Sequence, residues 1–199
     1  PKVGQNYWPL THMAPEDWLI AALTQPQGDM MAGWVWLIPR DVLNRAGGWH
    51  EALSLNNDFE FSVRLLLASK GVKFADQAIL YHRGDNPGSV SAQMSRRAAE
   101  SAYLTTRLGG DMLLERIKRD EIRLICANRY QIWLHRLYPD YPDILKKMQS
   151  EVDRLGGATR TLRGGWLFQC VQRVFGWRLA KRLRLLKSAF TSVLRKTIT

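Results

Sequence analysis

Two cysteines in 199 residues, Cys126 and Cys170, are too few and too far apart to build a disulfide framework or a zinc site. No stretch approaches the run of about 20 apolar residues that a membrane-spanning helix requires. The chain opens at Pro1 without an initiator Met, and no charged leader precedes an apolar run, so the expectation is a piece of a longer protein with no signal peptide. Together these absences predict a reducing, cytoplasmic setting. Acid is missing from one region altogether. All 18 Asp and Glu precede residue 154, where 18 of the 29 Lys and Arg balance them, and residues 154–199 carry eleven cations alone. The formal charge of +11 therefore belongs to the tail. Such a tail suits an anionic membrane surface, nucleic acid or an acidic partner domain. Nucleic acid is the reading set aside, because the rest of the chain has no excess of base and no Gly-aromatic RNA-recognition pattern.

What is present is an apolar content of 46%, enough for one good core but short for a two-domain enzyme. "PEDWLIAALT" has Pro15, Glu16 and Asp17 as helix-start signals, predicting a short helix over 15–24. "MMAGWVWLI" lies between Gly28 and Pro39 and is rich in residues of high strand preference, so a buried strand is expected over 30–38. "PRDVLNRAGG" reads as a two-turn helix closed by Gly47 and Gly48. From Asp58 to Ser69, Phe59, Val63, Leu66 and Leu67 share one helical stripe. Short strands are expected over 72–75 and 78–83, followed by the loop "GDNPGSVS". From Ala92 onward only helical patterns appear, with breaks expected at Gly109-Gly110, Pro139 to Pro142 and Gly156-Gly157.

The triplet Asn56-Asn57-Asp58 at the start of the third helix is more than one cap needs. A carboxylate there sits at the positive end of the helix dipole and reads either as a plain N-cap or as a group held at the rim of a cleft. Glu60 cannot share a metal ion with Asp58, because positions i and i+2 of a helix point apart. It is expected to form an exposed pair with Arg64.

The ordered set from "GWVWLIPRDVLNRAGGWHEALSLNNDFEFSVRLLLASKG" to "VKFADQAILYHR" resembles the second half of the catalytic domain of family 2 glycosyltransferases, inverting enzymes of the GT-A fold. The resemblance implies an α/β chain. Residues 1–92 would be the C-terminal, acceptor-side part of a Rossmann-like mixed-sheet nucleotide-diphospho-sugar transferase domain, and residues 93–199 an all-helical extension. It implies transfer of a sugar from a nucleotide-diphosphate donor to an acceptor hydroxyl with inversion, in polysaccharide or glycoconjugate synthesis, the acceptor being a sugar or glycolipid. The family's acidic pair falls on Asn57 and Asp58. Asp58 then becomes the general base, while Asn57 departs from the acidic pattern. Trp36, Trp49, Glu51 and Asn57 become acceptor-binding candidates, although large aromatics also simply fill cores.

The departing diphosphate needs charge neutralisation, which the resemblance assigns to a divalent Mg or Mn ion. His82 is a candidate metal or phosphate ligand, and Arg83, Ser89 and Ser91 are candidates for phosphate. A structural His82 and an Arg83 paired with Asp85 are the alternative readings. Neither the family's nucleotide-binding strands nor its Asp-x-Asp metal motif occurs here, so the resemblance implies that the donor-binding half is missing. The alternatives are a non-catalytic scaffold, in which Asp58 only caps a helix, and a membrane-binding or nucleic-acid-binding module using the tail.

Within residues 158–199, Leu167, Val171 and Val174, then Leu179, Leu183, Leu186, Phe190 and Val193, recur at helical spacing with Lys and Arg between them. This predicts a basic amphipathic helix pair broken near Gly176. It would lie on the inner face of the plasma membrane or pack on its own domain with a solvated basic face.

Overall fold

Helices begin where the sequence places their start signals. The computed structural model describes residues 12–25, 31–79, 81 and 94–197. Helix α1 (Pro15–Thr24) has Pro in its first turn, with Glu16 and Asp17 beside it at the positive end of the dipole. Helix α2 (Arg40–Ala46) stops at Gly47, whose φ of 80° favours glycine. Helix α3 (Asn57–Leu67) follows Asn56, which adopts the left-handed φ of 66° that Asn tolerates. Helix α4 (Arg96–Arg116) is capped by Ser95, whose Oγ accepts from the Ala98 N–H at 3.2 Å. Helices α5 (Glu121–Leu137) and α6 (Pro142–Arg154) are separated around Pro139. Helix α7 (Trp166–Thr197) bends at Gly176, where φ is 82° and ψ 161°.

The mixed sheet expected from the sequence does not form. Among the described residues, β pairing is confined to one isolated antiparallel bridge between Met13 and Val72, so the α/β fold class is replaced by an all-helical one. The run expected as a strand over 30–38 buries Met31 and Ala32, closes a 3-10 turn over Gly33–Val35 and then runs extended to Pro39 with Leu37 fully exposed. Strand preference reflects how well a side chain fits a pleated, half-buried surface. Without neighbours in a ladder the same apolar residues pack on helices instead. Trp36 meets Trp18 of α1 edge-on at 4.9 Å. Of the segment 72–75, only Val72 pairs. In 78–83, residues 80, 82 and 83 lie outside the described residues.

The break expected at Gly109-Gly110 is also absent, since α4 runs through both glycines. Their lack of a side chain is used for close approach. A Cβ on Gly109 would stand 2.5 Å from Phe59 Cε1, and one on Gly110 would meet Cys126 Sγ at 3.7 Å. Two helical glycines cost about 1 kcal/mol each. Fully burying Phe59 returns about 1.5–3 kcal/mol, so the helix tolerates them.

One core runs through the molecule from Trp18 and Leu19 of α1, through Phe59, Val63 and Leu66 of α3, to Leu134 and Met148 of α5 and α6. A smaller cluster of Val42, Ala46, Phe61 and Leu65 fixes α2 on the other side of α3. Helix α3 is thus buried on two sides, which makes it the rigid element from which a site can be built. Surface ion pairs such as Arg119–Asp17 and Arg96–Asp143, each 2.6 Å, are screened by solvent and add little to this packing.

Candidate functional site

Asp58 lies in the first turn of α3 but does not cap it; Asn56 occupies the cap position. Its half-buried carboxylate accepts a hydrogen bond from the Gly33 N–H. Burial, the larger effect, raises its pKa above the usual carboxylate value, and the Gly33 bond opposes that shift. Gly33 is also where Trp49 arrives: a Cβ there would stand 2.8 Å from Trp49 Cη2 and 3.1 Å from Asp58 Oδ1. A glycine is needed for the three groups to meet.

Helix α3 places Trp49 as well as Asp58. Its Phe61 stacks on the Trp49 ring with centroids 4.0 Å apart and planes 18° apart. One turn on, the Arg64 guanidinium donates to the carbonyls of Ala46, Gly47 and Gly48 in the loop that leads to Trp49, the last two at 3.0 Å. Arg64 also holds Glu60 at two points, Nε to Oε1 at 2.7 Å and Nη2 to Oε2 at 3.0 Å. The expected pairing forms, but Glu60 is buried rather than exposed. From the other side, the Ser54 N–H donates to Ser101 Oγ at 2.8 Å, and Ser101 donates to the Leu55 carbonyl at 3.0 Å. The loop before α3 is thereby fastened to α4. Trp49 keeps 45% of its surface exposed, as does Trp34, next in chain to Gly33.

The other expected residues are placed as follows. Trp36 is half-buried, donates from Nε1 to Ser62 Oγ at 3.1 Å and packs on Trp18, so its ring belongs to the helix packing. Glu51 is exposed and Asn57 half-buried. His82, Arg83, Ser89 and Ser91 lie outside the described residues. Sequence reasoning missed Gly33 and Ser101, and it singled out Asn56 only as part of the Asn-Asn-Asp triplet; its Nδ2 is buried without a hydrogen-bond partner. The Gly-Trp dipeptide at 33–34 and the doubled Asn at 56–57 signal two of these positions, and nothing in the sequence signals Ser101.

Among the described residues no three His, Cys, Asp or Glu side chains gather to hold a metal ion. His82, the ligand expected for Mg or Mn in this chain, lies outside the described residues. No helix among them is long and apolar enough to cross a membrane.

Compared with family models, curated proteins and solved structures, the chain matches none. With no neighbour of GT-A fold and no sheet among the described residues, membership of the family 2 glycosyltransferases is withdrawn. What remains is a local arrangement, namely a half-buried carboxylate of raised proton affinity in the first turn of a rigid helix, met at Gly33 by the partly exposed Trp49 indole.

Proposed function

We propose that the chain serves transfer of a sugar from a nucleotide-diphosphate donor to an acceptor hydroxyl with inversion, Asp58 taking the hydroxyl proton. The observation that carries this reading is the meeting of the Asp58 carboxylate with the exposed Trp49 ring at Gly33. A hydroxyl is too weak an acid to attack unaided, and a positioned base contributes about 10²–10⁴-fold. Raised proton affinity suits that base, because a carboxylate of ordinary pKa holds a proton poorly near neutrality. A flat indole offers an apolar face to the C–H side of a sugar ring while the carboxylate addresses its hydroxyl. In the step itself the acceptor oxygen forms a bond to the anomeric carbon, and its proton passes to Asp58. The bond from that carbon to the diphosphate breaks, with the electron pair leaving on the nucleoside diphosphate. Donor-binding groups are not among the residues that support this reading.

The test is release of nucleoside diphosphate from a panel of nucleotide sugars in the presence of mixed glycoside acceptors, alongside quenching of tryptophan fluorescence by those acceptors. Asp58→Asn is expected to lower turnover by about 10²–10⁴-fold with acceptor binding unchanged. Trp49→Ala is expected to weaken acceptor binding by about tenfold. Acceptor binding with no release from any donor makes the chain a non-catalytic scaffold, and full turnover by Asp58→Asn removes the base from Asp58.

A further inference from the structure

Helix α7 touches the body with one side and leaves the other bare. After the bend at Gly176, Trp177 packs edge-on against His135 of α5 and Tyr138 just beyond its end, Ala180 is buried, and Lys181 Nζ donates to the His135 and Arg136 carbonyls. Positions 177, 180, 181 and 184 project to that side of a helix with 3.6 residues per turn. Leu179, Leu183, Leu186 and Phe190 recur at intervals of four, three and four, which gathers them on the opposite side. All four are exposed, Leu186 and Phe190 at 67%. In the segment before the bend, Trp166, Leu167 and Val174 form a second bare stripe, again away from Gln169 and Gln172, which bond to Leu162. Two uncovered apolar stripes on one helix exceed the scattered exposed leucines of an ordinary surface.

The surroundings of these stripes are basic. Arg182 and Lys187 flank the stripe of Leu179, Leu183, Leu186 and Phe190, and residues 154–199 contain eleven Lys and Arg with no acid. Beside Arg182, a cleft of about 360 Å³ opens between α5, α6 and α7, floored by Leu134, Tyr138 and Leu145. Its charged lining is Lys146, Arg178 and Arg182, again with no acid. An apolar stripe bounded by cations and next to a cationic cleft is complementary to a surface that is apolar within and negatively charged at its face. An acidic protein would match the charge, and would match the stripe only through an apolar groove of its own.

We infer that α7 lies in the interface of an anionic lipid bilayer, with Leu179, Leu183, Leu186 and Phe190 among the acyl chains and the flanking cations at the headgroups. The stripe faces away from the core, so the body seats on the membrane without unfolding. This docking is independent of the chemistry proposed at Asp58.

The experiment is flotation of the whole chain with vesicles of phosphatidylcholine alone or with about 30% phosphatidylserine. Binding is expected to be at least about tenfold tighter to the anionic vesicles and to weaken between about 0.1 and 1 M salt, as the screening length falls from ~10 to ~3 Å. Leu183→Glu, at an exposed position, should lose binding while keeping the native circular dichroism and melting curve. Arg182→Glu should weaken it, and Asp58→Asn should bind as the native chain does. Equal binding to both vesicle types, or undiminished binding by Leu183→Glu, overturns the proposal. So does a chain that ignores vesicles and forms a dimer dissolved by Leu183→Glu, since a second copy then covers the stripe.

Discussion

Burying a carboxylate works against stability and in favour of proton affinity, and Asp58 carries both consequences. Because its pKa is raised by burial, the folded protein holds a proton that the unfolded chain has released between the ordinary value of 3.8 and the folded value. Stability from this group is therefore lost as pH rises through that window, and above it the ionised carboxylate is a net cost. Asn removes the charge and keeps an oxygen for the Gly33 N–H. Asp58→Asn is thus expected to melt at the same temperature as the native chain or slightly higher at neutral pH, and thermal melts at pH 4 and 7 check it. A lower melting temperature at pH 7 would mean that the carboxylate has a stabilising partner. Glu60 has a structural role of its own. It is buried and joined at two points to Arg64, which in turn fastens three carbonyls of the loop before Trp49. Glu60→Gln leaves that guanidinium partly unsatisfied and is expected to cost about 2–3 kcal/mol by urea denaturation. The mild effect expected of an exposed pair is replaced by a structural one.

Among the elements, the contact between α3 and α4 is the one a single atom can disturb. Gly109→Ala gains about 1 kcal/mol of helix propensity, but the new Cβ meets a Phe59 ring that cannot retreat, being buried with the Arg129 guanidinium 4.3 Å from its centroid. Overpacking costs about 1–3 kcal/mol, so a net loss is expected. Phe59→Leu should recover part of it in the double variant, which a double-mutant cycle measures. This pair also shows what sequence makes legible. Helices α1, α2 and α3 could be read because their starts and stops are local, written in Pro15, Asp41, Gly47 and a 3.6-residue stripe. At Gly109 the local signal says stop, and only a ring 50 residues away in sequence explains why the helix continues. The strand over 30–38 fails for a related reason. Val35, Trp36 and Ile38 favour a sheet only if a neighbouring strand is present, and Trp36 turns to Trp18 instead. At the site, the resemblance named Asp58 and Trp49 together with Trp36, Glu51 and Asn57, but the meeting of the first two at Gly33 depends on two loops whose paths are set by α3 and α4.

On the scale of the whole molecule, the core is assembled from α1 and α3 to α6, with α7 docked on its outside through few buried groups. Removing residues 166–199 takes away eight cations and no acid, so the net charge falls from +11 to +3. The core from Trp18 to Leu155 remains whole. Loss of the half-buried Trp177 and of Ala180 is expected to cost of order 2 kcal/mol, or about 4–8 °C in melting temperature, with a single cooperative transition retained. The pH response separates docking from general destabilisation. His135 is buried beneath Trp177 with Lys181 and Arg184 nearby. Burial first, then those two cations, push its pKa from 6.5 down to about 4. The unfolded chain binds this proton and the folded one does not, so the contribution of His135 to stability is complete above pH 6.5 and is lost as pH falls toward 4. Without α7, the Trp177 cover and both cations are gone, and the imidazole returns toward its ordinary value. The full chain should therefore lose melting temperature more steeply between pH 6.5 and 4 than the chain ending at residue 165, and His135→Gln in the full chain should flatten its curve to match. Parallel curves for the full and shortened chains would show that α7 does not bury His135 in solution.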